Sequence, residues 1–93
     1  MEMQCVNVME EIVRALVTVL MRGPEYQTFC HCDKCTNEII ALSLNSLPAY
    51  YVTNDEQRKH TFISLNTTDN LKWINKRIIQ SIYSVGKYPI HSQ

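Results

Sequence analysis

Three cysteines within six residues place the tightest constraint on this 93-residue chain. The run reads Cys30-His31-Cys32-Asp33-Lys34-Cys35, a C-x-C-x-x-C spacing. A chain of this length buries a modest core and often depends on a metal, a disulfide or a partner subunit. Three thiolates this close can converge on one ion where a loop turns into a helix. The sequence therefore predicts one domain, residues 1–93, stabilised by a structural zinc ion.

Zinc prefers four ligands in a tetrahedron, so three cysteines leave one position to be filled from elsewhere. The candidates are His91, Cys5, His60 and His31. His31 is the weakest because it lies between two of the cysteines. We favour His91, because a tail beyond the last predicted helix can reach back. Cys5 is the main alternative, because antiparallel helices can bring distant positions together.

Two other uses of clustered cysteines remain open. An iron–sulfur cluster normally takes four cysteine ligands, and only three are clustered here. A thioredoxin-like redox site combines C-x-x-C with a β-α-β pattern, which is not apparent, although a thiol redox sensor stays an alternative. A zinc ion with four protein ligands has no open position, so it stabilises a fold rather than catalyses a reaction.

Apolar residues recur at helical spacing in two long segments. Residues 3–22 form the first predicted helix, which ends at Gly23-Pro24 because proline cannot continue it. The last predicted helix begins near Thr68 or Asp69 and ends at Gly86. The stripes of the two helices are Val6, Met9, Val13, Leu16 and Leu20, and Leu71, Ile74, Ile78, Ile82 and Val85.

A second helix is predicted to begin near Asp33 or Thr36, either of which can cap it, and to end before Pro48. Residues 50–60 are polar, with a turn around Thr53-Asn54-Asp55. Residues 60–66 fit either a short strand or the start of a helix. The fold class is therefore all-α, with about three main helices.

Charge and composition limit the functional classes. The nine basic and nine acidic residues balance, whereas a strong nucleic-acid binder is usually basic. The apolar run from Ile12 to Met21 contains Arg14 and is too short to span a membrane. With no secretory signal apparent, we expect a cytoplasmic protein. No Gly-rich phosphate loop, paired carboxylates or triad spacing indicates an enzyme.

Four segments together resemble the late-competence ComFB family. They are Asn7-Val8-Met9-Glu10, the C-x-C-x-x-C run, Ile39-Ile40-Ala41-Leu42-Ser43-Leu44-Asn45-Ser46-Leu47-Pro48, and Tyr51-Val52. The resemblance implies a compact helical homodimer with no known enzymatic activity, and zinc in members that carry the cysteines. Cyanobacterial members without the cysteines are receptors for cyclic dinucleotides. The family is linked to competence, motility and type IV pili.

The receptor-like members tend to read Asn-Arg-Leu-Pro-Pro-x-Tyr, and this chain lacks the arginine and the second proline. Aromatic faces and cations are still present for bases and phosphates, at Asn45, Tyr50, Tyr51 and Arg58. We therefore carry forward a receptor for cyclic di-GMP or cyclic di-AMP that signals to an unknown downstream protein. The alternative is a zinc-stabilised dimeric adaptor without a small-molecule ligand.

Overall fold

Four α-helices and a two-stranded sheet make up the part of the chain that the computed structural model describes, residues 4–87. In chain order they are β1 (Val6–Asn7), α1 (Val8–Met21), α2 (Asp33–Asn45), β2 (Tyr51–Val52), α3 (Asp55–Leu65) and α4 (Thr68–Lys87). A 3₁₀ turn, Pro24–Tyr26, follows α1. The mostly helical fold is confirmed, but the expectation of three main helices is wrong by one.

The core lies where α2 packs against both α1 and α4. The apolar stripes that the sequence predicts for the first and last helices face this core, and Val13, Ile74 and Ile78 are fully buried. Burial of each such side chain stabilises the fold by about 1.5–3 kcal/mol. No helix of residues 4–87 is long and apolar enough to cross a membrane.

Helix α3 is the element that the sequence did not reveal. It occupies the segment predicted as polar with a turn, and it ends within residues 60–66, for which the sequence fits either a strand or a helix. Its one buried residue is Leu65, so it lacks an apolar stripe, and Ile63 is exposed. The helix begins at a cap instead: the side chain of Asn54 accepts a hydrogen bond from the backbone N–H of Gln57 at 2.8 Å.

The N-terminus of α1 is fixed by one asparagine. Asn7 Oδ1 accepts hydrogen bonds from the N–H of Met9 at 3.1 Å and of Tyr50 at 2.8 Å. The first bond caps α1, and the second ties the chain after α2 to the start of α1. Strands β1 and β2 pair antiparallel at the same place, with Asn7 opposite Tyr51. The helix therefore begins at Val8, later than the sequence pattern suggested.

Gly86 lies inside the last turn of α4 and does not end it, because the helix runs to Lys87. A Cβ atom at this position would stand 2.6 Å from Cε2 of the Phe29 ring. A glycine is therefore required here, because the loop between α1 and α2 packs directly on the backbone of α4.

Candidate metal centre

The three clustered cysteines lie together where the loop enters α2. The Sγ atoms of Cys30, Cys32 and Cys35 are all within 4.8 Å of one another. Tetrahedral zinc with Zn–S bonds of about 2.3 Å requires sulfurs about 3.8 Å apart. Small side-chain rotations therefore bring the three sulfurs to ligand distances. The donor set suits zinc, which takes cysteine sulfur readily.

The position of the cysteines at the N-terminus of α2 changes the pKa values of two of their thiols. Cys32 is the N-cap residue, in place of the Asp33 or Thr36 that the sequence suggested, and its Sγ accepts from the N–H of Cys35 at 3.4 Å. This hydrogen bond and one with Cys30 lower the pKa of the Cys32 thiol. Burial, followed by the neighbouring thiols, raises the pKa of Cys35 to about 12.

Aromatic rings hold the cysteine loop against α4. Phe29 makes edge-to-face contacts with Tyr26 and Tyr83, at ring-centroid distances of 5.6 and 5.5 Å. His31 Nε2 donates to the carbonyl oxygen of Tyr26 at 2.8 Å. Together with the close approach at Gly86, these contacts fix the backbone that carries the cysteines.

The structure separates the candidates for the fourth ligand. Cys5 precedes β1, at the N-terminal end of α1, whereas His31 lies beside Met21 at the other end. A helix of 14 residues is about 20 Å long, so Cys5 is remote from the cluster. His60 lies on α3 and is not part of the metal-spaced group. Within residues 4–87 the metal-spaced group contains the three cysteines alone. His91 lies outside the described residues.

An apolar cleft of about 400 Å³ adjoins the cysteines. It separates the cysteine loop and the start of α2 from the last turns of α4. Its lining residues are Thr28, Phe29, Cys30, Cys35, Ile39, Ile82, Val85 and Gly86. The end of α4 therefore lies on the cysteine side of the molecule.

The candidate nucleotide residues are only partly brought together. Tyr51 and Arg58 line one cavity of about 460 Å³ beside the N-terminus of α1. Asn45, the last residue of α2, is absent from its lining, and so is Tyr50. The complete lining is Cys5, Val6, Asn7, Glu10, Glu11, Arg14, Tyr51, Asp55 and Arg58.

Both arginines of this cavity already face carboxylates. Arg58 donates from Nε to Glu11 Oε2 at 2.7 Å and from Nη2 to Glu11 Oε1 at 2.5 Å. Glu11 raises the pKa of Arg58 through these hydrogen bonds and through its charge. Arg14 pairs with Glu10 at 2.8 Å. With Asp55, the cavity has three carboxylates against two guanidinium groups. Sequence reasoning missed Glu11, because the pair joins positions 47 residues apart.

Comparison with known proteins identifies a matching family and a solved structure with a similar fold. The family model described as late competence development protein ComFB matches residues 6–89. Among solved structures, the chain is similar to the late competence protein ComFB from Bacillus subtilis, with 26% sequence identity and a TM-score of 0.79. The match covers 92% of this chain and 94% of that one. No curated protein sequence gives a significant match.

Proposed function

Because the chain belongs to the ComFB family of late competence development proteins, we propose that it is a non-enzymatic regulatory protein with a structural zinc site. The observation that carries the zinc proposal is the convergence of three cysteine sulfurs within 4.8 Å. When bound, zinc supplies a cross-link between the loop and the first turn of α2. The protein acts as a homodimer and passes its signal to a downstream protein, as a competence-related adaptor.

His91 supplies the fourth ligand in this proposal. This assignment is supported by the last turn of α4, which lines the same cleft as two of the cysteines. His91 is the fourth residue after Lys87, and an extended chain of four residues spans up to about 13 Å. A ligand set of Cys30, Cys32, Cys35 and His91 would tie the start of α2 and the C-terminal segment to one ion.

Chelation tests the zinc proposal. Removal of zinc with a strong chelator should lower the thermal midpoint and the helical circular dichroism signal, because metal binding and folding are coupled. Added zinc should restore both signals, whereas magnesium should restore neither, because it prefers oxygen ligands. Unchanged melting of a chelated, metal-free protein would refute a structural role for zinc.

A cyclic-dinucleotide receptor is the second candidate. It is favoured by the shared cavity of Tyr51 and Arg58, which offers an exposed aromatic ring and a guanidinium group. A two-fold symmetric ligand would also meet the same residues twice in a homodimer. The pairing of Arg58 with Glu11 and the excess of carboxylates oppose a phosphate at this place. The geometry therefore supports the adaptor better.

Two substitutions of opposite expected effect decide between these candidates. A receptor saturated at one hundred times its dissociation constant gains about 2.7 kcal/mol of stability, so thermal shifts with cyclic di-GMP and cyclic di-AMP reveal binding. Glu11→Gln releases Arg58 and should strengthen such binding, whereas Tyr51→Ala should weaken it. Tyr83→Phe, on α4 beside Tyr26 and Phe29, is the control. If neither nucleotide shifts the thermal midpoint of the wild-type protein, the receptor candidate is refuted and the adaptor is retained.

A further inference from the structure

The clustered thiols differ in their access to solvent. Cys32, the N-cap residue of α2, is exposed, and Cys30 in the loop before it is exposed as well. Cys35, in the first turn of the helix, is only 1% exposed. Because oxidation of a thiol follows its exposure, a dissolved oxidant attacks Cys30 or Cys32 before it attacks Cys35.

The first turn of α2 holds Cys35 beside Cys32. Residues three apart lie on the same side of a helical turn, and the Sγ of Cys32 accepts a hydrogen bond from the N–H of Cys35 at 3.4 Å. The two sulfurs are within 4.8 Å of each other. Rotation of the two side chains can therefore bring them to the S–S bond length of a disulfide, about 2.05 Å.

We infer that Cys32 and Cys35 form a dithiol–disulfide pair, through which a hydroperoxide converts the zinc site into an oxidised form without metal. Cys32 is the attacking thiol, because it is the exposed member of the pair, and Cys35 is the resolving thiol. The loss of metal rests on the proposed zinc function, whereas the pairing of the two sulfurs rests on the geometry of α2 alone.

The oxidation proceeds in two steps that start from thiolates, the form in which cysteine binds a metal. Cys32 Sγ attacks one oxygen of the hydroperoxide, the O–O bond breaks, and the other oxygen takes a proton from solvent and leaves as an alcohol or as water. Cys35 Sγ then attacks the sulfenic sulfur of Cys32, the S–O bond breaks, and the hydroxyl group leaves as water with a second proton. The two sulfurs lose two electrons, and the peroxide gains them.

The disulfide changes how the cysteine loop is held. A thiolate is a metal ligand and a disulfide sulfur is not, so oxidation removes two of the three cysteine ligands and leaves Cys30. The new bond lies within the first turn of α2, so it does not replace the link between the loop and the helix. Phe29 then holds the loop on α4 through its ring contacts. An oxidant thereby controls the order of the loop.

Peptide mapping of the purified wild-type protein tests the pairing. Trypsin cleaves between Lys34 and Cys35, so Cys30 and Cys32 fall on one peptide and Cys35 on the next. After treatment with hydrogen peroxide, alkylation of the remaining thiols and digestion, we expect the two peptides to be linked, with the alkyl label on Cys30. A label on Cys32, a disulfide within the first peptide, or no disulfide would overturn the inference.

Cys5 is the internal control, because it is exposed and lies outside the cluster. Its thiol should be lost at least about tenfold more slowly than the Cys32–Cys35 disulfide forms, because it has no resolving thiol beside it. The variant Cys5→Ser should form the disulfide at the wild-type rate. Oxidation of Cys5 as fast as that of Cys32 would show that peroxide attacks any exposed thiol, and would contradict a selective pair.

Metal release separates this inference from the zinc proposal. Measured with a chromogenic indicator, zinc should appear in solution at the rate at which the disulfide forms, and reduction with a dithiol in the presence of zinc should restore the site. Disulfide formation with full retention of zinc would overturn the metal-free oxidised form. If the purified protein carries no zinc, the proposed zinc function fails, whereas the peptide map still decides whether Cys32 and Cys35 pair.

Discussion

The two ends of α1 lie in different chemical surroundings. We call the region around its C-terminal end the cysteine end, and define it as residues 24–35 with the last turn of α4. We call the region around its N-terminal end the paired end, and define it as β1, β2, α3 and the first turn of α1. The cysteine end is built from sulfur atoms and aromatic rings, and an apolar cleft adjoins it. The paired end is held by hydrogen bonds and by the Arg58–Glu11 ion pair.

The range of the contacts differs as much as their chemistry. All three sulfurs of the cysteine end come from six consecutive residues. At the paired end, the bond from Tyr50 to Asn7 joins residues 43 apart, and the Arg58–Glu11 pair joins residues 47 apart. A metal at the cysteine end would add strong bonds to a short loop. The paired end depends on several weak contacts, each partly open to water.

The largest expected effect comes from Cys32→Ser. Loss of a zinc ligand should lower the free energy of unfolding by more than about 4 kcal/mol, in the range of a lost metal site. Cys5→Ser at the paired end is the matched control and should change neither zinc content nor thermal midpoint. Elemental analysis and thermal denaturation measure both. If the two variants had the same zinc content and the same thermal midpoint, a metal site specific to the cysteine end would be contradicted.

Gly86→Ala should be next in size. In a helix interior this change normally stabilises by about 0.5–1 kcal/mol. Here the new Cβ would meet the Phe29 ring at 2.6 Å, so we expect destabilisation of about 1–3 kcal/mol. Ser84→Ala, an exposed change on the same helix, should be nearly neutral. Chemical denaturation measures whether the free energy of unfolding rises or falls. A stabilised Gly86→Ala variant would show that the cysteine loop does not pack on this part of α4.

At the paired end, Asn7→Ala should cost about 1–2 kcal/mol, because it removes the cap of α1. It also removes the acceptor for the N–H of Tyr50. Asn54→Ala removes a cap of α3 alone and should cost less. Zinc content should stay at the wild-type level in both variants. A larger loss for Asn54→Ala than for Asn7→Ala would contradict the linking role of Asn7.

Glu11→Gln should have the smallest effect on stability, because its pair with Arg58 is partly exposed to solvent. We expect faster amide exchange in α3, with exchange in α2 unchanged. Added salt should speed exchange of α3 in the wild type and should have less effect in the variant. If exchange of α3 stays at the wild-type rate, the ion pair does not help to hold that helix.

The elements that could be predicted carry their signal locally. The spacing of the cysteines was enough to bring the three sulfurs together, because the chain turns into α2 there. The stripes of α1 and α4 follow the helical period, and Val13 and Ile78 of these stripes are buried. The family resemblance is likewise confirmed, since it rests on contiguous segments of the chain.

What escaped prediction has no local signal. Helix α3 has no apolar stripe, and it depends on the Asn54 cap and on Glu11, far away in sequence. Two strands of two residues each are too short for an alternating pattern. Gly86 reads as a helix end, but the Phe29 ring that requires a glycine there comes from another part of the chain.

Native mass spectrometry of the purified protein tests the central claim most directly, because it counts metal and subunits together. We expect a dimer with one zinc ion per chain in the wild type and in Cys5→Ser, and no bound zinc in Cys32→Ser. A folded wild-type protein that carries no metal, or a Cys32→Ser variant that retains a full zinc complement, would contradict the account of the cysteine end.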